Sequence, residues 1–221
     1  MFLLAGALGL GGCSSALRRN RYRLTVEVET PEGRRVGWSV METVGSFNDG
    51  MFKGLGNAVS FGTKGEAVAI DLGPRGVLFV LLTPDQERKE SGEPFDVFSR
   101  LHRDLWSEYG IDAAAMDRMA QARGATAVPL DMLPLLVRFR DIADPKTVER
   151  VDPNDLAEKF GSGVRIARAI FEITDAPVID KLLPWWNGPF PWLRPLGNGV
   201  YLDTRTDAFK VSKDQFQQGI K

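Results

Sequence analysis

Residues 21–30 alternate between apolar and polar side chains. The even-numbered positions carry the large apolar side chains, Tyr22, Leu24, Val26 and Val28. Successive side chains of a β-strand point to opposite faces, so this pattern predicts a strand with one buried and one solvated face. After a Pro-Glu-Gly turn, residues 35–44 place three more apolar side chains on one face: Val36, Trp38 and Val40. The two segments together predict an antiparallel hairpin.

Further strands are predicted along the chain. Residues 66–72 and 77–82 flank a Gly-Pro-Arg-Gly turn and predict a second hairpin. Its second strand is apolar throughout, which is typical of a central strand covered on both faces. Residues 133–140 and 164–174 predict two more strands. The glycine-rich residues 45–65 fit either a flexible loop or an irregular strand pair.

Residues 95–123 predict a helical insert. Helical spacing places five side chains on one stripe: Phe95, Phe98, His102, Leu105 and Tyr109. Asp112 is placed to cap a second helix that ends near residue 123. Asp144-Pro145 and Asp152-Pro153 predict two short helix starts. The predicted fold class is therefore α+β: a mainly antiparallel sheet of about six or seven strands, with this insert and short capping helices.

Composition excludes several classes of protein. Hydrophobic residues make up 43% of the 221 residues and the formal net charge is −1, which is typical of a folded globular chain. The sequence contains no run of the roughly 18–20 apolar residues that a membrane-spanning helix needs. A pI of about 6.0 predicts no nucleic-acid partner. The single cysteine allows neither an internal disulfide nor a multi-cysteine zinc site.

The N-terminal residues predict where the protein is located in the cell. Residues 2–12 are uncharged and apolar, which is the length of a signal-peptide core and too short for a bilayer span. They end in Leu10-Gly11-Gly12-Cys13, and small residues give a peptidase close access to the backbone before the cysteine. This segment resembles the lipobox of bacterial lipoproteins, except that no Lys or Arg precedes the apolar stretch. The alternative is a soluble cytoplasmic protein with a different start site.

The resemblance implies a lipid anchor. It implies that Cys13 receives a diacylglyceryl group, that the chain is cleaved before it, and that the new amino terminus is acylated. Ser14 at the following position implies an outer-membrane location facing the periplasm. The implied organisation is a signal peptide at 1–12, a tether at 13–21 and a single α+β domain at 22–221. The arginines between residues 18 and 23 either meet anionic lipid or form a solvated charge run.

Motifs for catalysis and metal binding are sparse. His102 is the only histidine, and its position on the apolar stripe predicts a core residue rather than a catalytic base. Residues 56–64 lack the spacing and residue order of a phosphate-binding loop, and Gly161-Ser162-Gly163 is interpreted as the end of a short helix and a turn. Asp152, Asp155 and Glu158 surround a predicted helix start, where capping accounts for them without an ion. We predict neither a metal site nor a cofactor.

Residues 183–195 combine aromatic side chains with four prolines, which prevent a regular helix or central strand. Exposed tryptophan faces stack on sugars, on other rings or on cations, and they favour membrane interfaces. The candidate binding surface therefore consists of Trp185, Trp186, Phe190, Trp192 and Arg194. The alternative is an aromatic cover packed over the sheet.

Three segments, at residues 23–33, 64–73 and 149–178, are similar to proteobacterial proteins with no known activity, so the similarity implies no site.

The functional hypothesis is a lipid-anchored envelope domain that binds or scaffolds, with the membrane and an envelope protein or glycan as partners. The alternative is a small envelope hydrolase that uses Asp/Glu pairs on glycan or peptidoglycan-like substrates.

Overall fold

The computed structural model describes residues 15–48, 60–84, 97–106, 110–142, 144, 147–179, 201–202, 211–212 and 216–218. The strands in this part of the chain are β1 (Ser15–Thr30), β2 (Gly33–Asn48), β3 (Ser60–Glu66), β4 (Val68–Asp71), β5 (Val77–Pro84), β6 (Ala125–Ala127), β7 (Pro134–Phe139), β8 (Val148–Val151), β9 (Arg165–Ile173), β10 (Tyr201–Leu202), β11 (Val211–Ser212) and β12 (Gln217–Gln218). The helices are α1 (Val97–Leu101), α2 (Ala113–Gln121) and α3 (Leu156–Phe160). Single 3₁₀ turns lie at Gly73–Arg75, Arg103–Leu105 and Leu130–Met132.

The described strands form two main sheets and one small pair. A six-stranded sheet has the order β12-β3-β2-β1-β9-β6, a four-stranded sheet has the order β4-β5-β7-β8, and β10 pairs with β11. Every pairing is antiparallel. The predicted α+β class with mainly antiparallel strands is confirmed. The predicted single sheet of about six or seven strands is instead two main sheets, because the chain changes sheet at Ala67, between β3 and β4. The N–H of Ala67 donates to the carbonyl of Phe216.

The predicted hairpin of β1 and β2 is present and longer than expected. Its pairing runs from Thr30 opposite Gly33 to Ser15 opposite Asn48. The turn is closed by the Thr30 hydroxyl, which donates to the carbonyl of Gly33, and Gly33 adopts a φ of +119° that favours glycine. Residues 15–21, which the sequence analysis assigned to a tether, are the first part of β1 in this structure.

The main core lies between the two sheets. On the inner face of β1, the four predicted side chains are at most 1% exposed: Tyr22, Leu24, Val26 and Val28. They pack against β4, β5, β7 and β8 and against the helical insert. The Tyr22 ring stacks on Phe171 of β9 at 5.0 Å and on Phe98 of α1 at 5.9 Å between ring centroids. These rings join the insert to the six-stranded sheet.

The four-stranded sheet is buried on both faces along β5. Leu78, Val80 and Leu82 face the main core, whereas Phe79 and Leu81 belong to a second cluster that includes Phe216. All five of these β5 side chains are at most 5% exposed. The prediction of a central, doubly covered strand is therefore confirmed, and β5 lies between β4 and β7.

Two helix predictions need correction. The ends of the predicted stripe, Phe95 and Tyr109, lie outside the described residues. The described part between them is not one continuous helix, because α1 ends at Leu101 and a 3₁₀ turn follows at Arg103–Leu105. The α3 helix is capped by Asp155 rather than by Asp152. The Asp155 carboxylate accepts from the N–H of Glu158 at 3.1 Å, while Asp152 closes the preceding turn by accepting from the N–H of Asn154. The predicted cap of α2 is confirmed, since Asp112 accepts from the N–H of Ala115 at 2.6 Å.

Candidate functional site

The residues that the sequence analysis singled out for anchoring and binding lie outside the described part of the chain. They are Cys13, Trp185, Trp186, Phe190, Trp192 and Arg194. The structure does show where the segment after Cys13 leads, because β1 begins at Ser15. The candidate functional surface of the described residues is therefore considered from this end of β1 outward.

A polar cleft opens beside the first half of β1. Strand β9 pairs with β1 only from Tyr22 onward, so among the described residues no strand pairs with this edge of residues 15–21. The cleft at this edge has a volume of about 300 Å³. The described residues that line it come from β1, β2, the end of α2 and the end of β9: Arg19, Asn20, Arg21, Glu42, Ala120, Arg123, Ile173, Thr174 and Asp175.

Ion pairs determine the electrostatics of the cleft. The Glu42 carboxylate is 7% exposed and accepts from the guanidinium of Arg19 at 3.0 Å and from that of Arg21 at 3.1 Å. A more exposed pair joins Arg123 and Asp175 at 3.6 Å. Three guanidiniums thus face two carboxylates, and the lining retains one positive charge in excess. The side chain of Asn20 takes no part in these ion pairs. Its amide donates to the carbonyl of Met116 at 2.9 Å and holds α2 against β1.

A second surface is the side of β1, β2 and β9 that points away from the four-stranded sheet, called here the outer face. In the described residues, the exposed large hydrophobic side chains are Leu17, Val36 and Trp38, at 52, 52 and 51% exposure. The strand register places all three on the outer face. The apolar face predicted for β2 is therefore directed outward at Val36 and Trp38, whereas Val40 on the same face is 1% exposed. The guanidinium of Arg23 lies 5.1 Å from the Trp38 ring centroid.

Arginines surround these apolar side chains. The outer face of β1, β2 and β9 carries six of them: Arg19, Arg21, Arg23, Arg34, Arg165 and Arg168. It carries four carboxylates, and each lies within ion-pair distance of at least one of these arginines: Glu27, Glu29, Glu42 and Glu172. The alternation of β1 predicted a solvated face here. The excess of arginine over carboxylate on this face, and the cross-strand position of Trp38, follow from the strand register and could not be predicted from the sequence.

Glu27 shows how tightly these charges are held. Its carboxylate accepts from Arg168 at 2.6 Å and from Arg34 at 3.1 Å, and it is only 9% exposed. The hydrogen bond from Arg168, assisted by the charges of Arg168 and Arg34, lowers the pKa of Glu27 although burial opposes the shift. The carboxylate therefore stays ionised at neutral pH and neutralises part of the surrounding positive charge.

His102 lies in the core, as predicted. The residue is 7% exposed, and its Nδ1–H donates to the carbonyl of Phe98 at 2.8 Å. Its ring lies 5.3 Å from the ring of Phe98 and 5.4 Å from that of Phe171. These contacts account for His102 as a packed residue of the core.

The carboxylates of the described chain bear on the hydrolase alternative. That alternative needs two carboxyl groups about 5–10 Å apart across a substrate groove. Glu42 and Asp175 both line the cleft, but the described lining contains no tryptophan, and Glu42 is ion-paired with two guanidiniums.

Across the described ranges, no group of three or more His, Cys, Asp or Glu side chains is placed to hold a metal ion. None of the described helices is long and apolar enough to cross a membrane.

Comparison with known proteins gives no family assignment. The chain matches no protein-family model, and neither the curated proteins nor the solved structures contain a significant match.

Proposed function

We propose that this protein is a lipid-anchored domain of the bacterial cell envelope that binds or scaffolds rather than catalyses. In this proposal, Cys13 carries the acyl chains and holds the domain at the outer membrane, on the periplasmic side. The observation that carries the proposal is the segment Leu10-Gly11-Gly12-Cys13, which follows an apolar stretch and contains the only cysteine of the chain.

Two features of the described residues support a role at a surface. The outer face combines exposed Leu17, Val36 and Trp38 with an excess of arginine. Exposed apolar side chains bordered by charge are typical of interaction sites.

The anchor is tested by metabolic labelling. Cells that express the full chain are grown with a radioactive fatty acid, and the protein is then isolated and counted. We expect label in the natural chain and in the control variant Ser14→Ala, and none in Cys13→Ser. Fractionation on a density gradient should place the natural chain with the outer membrane. An unlabelled natural chain recovered from the cytosol would refute the proposal.

The partner surface is tested at the aromatic segment. We propose that Trp185, Trp186, Phe190, Trp192 and Arg194 contact an envelope protein or a glycan. The double variant Trp185→Ala/Trp186→Ala should then abolish complementation of a deletion strain, while Trp185→Phe/Trp186→Phe, which keeps two aromatic rings, should retain part of it. Full complementation by a normally folded alanine variant would remove this role.

A further inference from the structure

We infer that the outer face of β1, β2 and β9 lies flat against an anionic bilayer surface, with Leu17 and Trp38 in contact with the lipid. This inference rests on the proposed anchoring through Cys13. It adds the orientation of the domain and the class of lipid that the domain recognises. The partner is the bilayer to which the chain is attached.

The first argument is the length of chain between the anchor and the fold. Ser15 is already paired with Asn48 of β2. Two residues span at most about 7 Å, so an acylated Cys13 would hold the beginning of β1 at the headgroups. The domain then has little freedom to move away from the lipid, and either the end of the hairpin or one of its faces must meet the surface.

The second argument is the distribution of apolar side chains. Leu17 is at the anchored end of β1, and Trp38 pairs opposite Thr25. Eight residues of strand separate these two positions, which is about 26 Å along β1. Their shared face suits a strand that lies along the surface, because tryptophan and leucine then reach the interface at both ends.

The third argument is charge. Arg19, Arg21 and Arg23 follow Leu17 at every second position, so they lie on the same face between Leu17 and Trp38. Arginine places its apolar stem along a membrane interface and keeps its guanidinium among the headgroups. The four carboxylates of this face already have guanidinium partners, and the six arginines leave an excess of two positive charges. This excess is complementary to anionic phospholipid and would not favour a zwitterionic surface.

The shape of the face limits which residues make contact. Val40 and Glu42 are buried, and the N–H of Ile179 donates to the carbonyl of Val40. The backbone at Ile179 therefore lies beside β2 at this point. Contact is assigned to the two exposed regions on either side, which are the first half of β1 and the patch of Val36 and Trp38.

The test measures how close Trp38 comes to lipid. Acylated full-length protein is reconstituted into vesicles whose lipids carry bromine near the headgroup, where bromine quenches tryptophan fluorescence on contact. The contribution of Trp38 is the difference between the natural chain and Trp38→Phe. The matched control is Trp106→Phe, because Trp106 donates its indole N–H to the carbonyl of Ser99 and packs against the main core.

We expect the Trp38 contribution to be quenched in vesicles that contain phosphatidylglycerol and the Trp106 contribution to be unaffected. Arg165→Gln removes one guanidinium from the outer face. It should shift the equilibrium between the bilayer-bound and the released outer face about fivefold toward the released state. The control Arg140→Gln should leave the equilibrium unchanged. Both arginines are more than half exposed, and in both cases the paired carboxylate keeps a second arginine.

Each result separates this inference from the proposed function. If Cys13 carries fatty acid and Trp38 is not quenched, the orientation is wrong and the anchoring stands. Equal quenching of Trp38 on phosphatidylglycerol and phosphatidylcholine vesicles would overturn the preference for anionic lipid. If Cys13 carries no fatty acid, the proposed function fails and the orientation fails with it.

Discussion

The carboxylate of Glu32 and the guanidinium of Arg75 face each other across two turns, joined by two hydrogen bonds of 2.9 Å. Glu32 lies in the turn between β1 and β2, and Arg75 lies in the turn between β4 and β5. Arg75 also donates to the carbonyl of Phe160 at 2.7 Å, the last residue of α3. One side chain therefore connects the two main sheets and a helix end.

This pair predicts a pH dependence of stability. The hydrogen bonds from Arg75 lower the pKa of Glu32 from 4.5 to about 2. A lowered folded-state pKa contributes stability above pH 4.5, and that contribution is lost as the pH falls from about 4.5 to about 2. Glu32→Gln should therefore lower the urea midpoint at pH 7, and the difference from the natural chain should disappear near pH 2.

The control for this experiment is Glu158→Gln. The Glu158 side chain is 59% exposed and pairs only with its neighbour Lys159 among the described residues. An exposed pair of this kind contributes little, so the urea midpoint at pH 7 should change little. A Glu32→Gln variant as stable as the natural chain at pH 7 would show that the Arg75 pair does not stabilise the fold.

The local structure of the hairpins could be predicted from the sequence because their information is local. The alternation around Leu24 and Val26 determines which side of β1 is buried, and the apolar run around Phe79 indicates a strand covered on both faces. The cap at Asp112 follows from short-range chemistry in the same way.

The sheet organisation and the candidate surface depend on contacts between distant residues. No local pattern indicates that the chain changes sheet at Ala67. The cleft lies where the pairing of β9 with β1 stops at Tyr22, and residues as far apart in sequence as Arg19 and Arg123 line it. Similarly, Trp38 looks like a core residue in the sequence of β2, and only the packing of the second sheet on the opposite face leaves it exposed.

The cap of α2 gives a local test of the insert. Asp112→Ala removes the acceptor for the N–H of Ala115. The loss of an N-cap carboxylate costs about 1 kcal/mol of stability. Asp112→Asn, which keeps an acceptor oxygen, should recover most of this loss in urea titrations. Equal stability of Asp112→Ala and the natural chain would mean that the cap does not contribute.

The aromatic cluster gives a test of how firmly the insert is packed. Phe171 is 1% exposed, and its ring lies within 6 Å of those of Tyr22, Phe98 and His102. Phe171→Ala should destabilise the protein by about 3–5 kcal/mol, because a large cavity would open between β9 and α1. The near-ultraviolet circular dichroism should weaken as well. The control is Ile170→Ala, which removes a half-buried side chain from the outer face and should cost much less.

Gly37 of β2 packs tightly against β4 of the second sheet. A Cβ atom at this position would lie 2.4 Å from the carbonyl oxygen of Ala69 and 2.7 Å from Cγ1 of Ile70, both in β4. Because the first of these atoms belongs to the backbone, the strands themselves would have to move apart. Gly37→Ala should therefore destabilise the protein by about 1–3 kcal/mol, measured by urea unfolding.

Gly62 of β3 provides the matched control for Gly37. It is also a strand glycine, and a Cβ atom there would meet no other atom within 4 Å. Gly62→Ala should be neutral or stabilise the protein by about 0.5–1 kcal/mol, because alanine restricts the unfolded chain. If the two variants unfold at the same urea concentration, the contact between β2 and β4 is looser than the structure indicates. A loss confined to Gly37→Ala instead shows that β2 and β4 pack as closely at this position as the structure indicates.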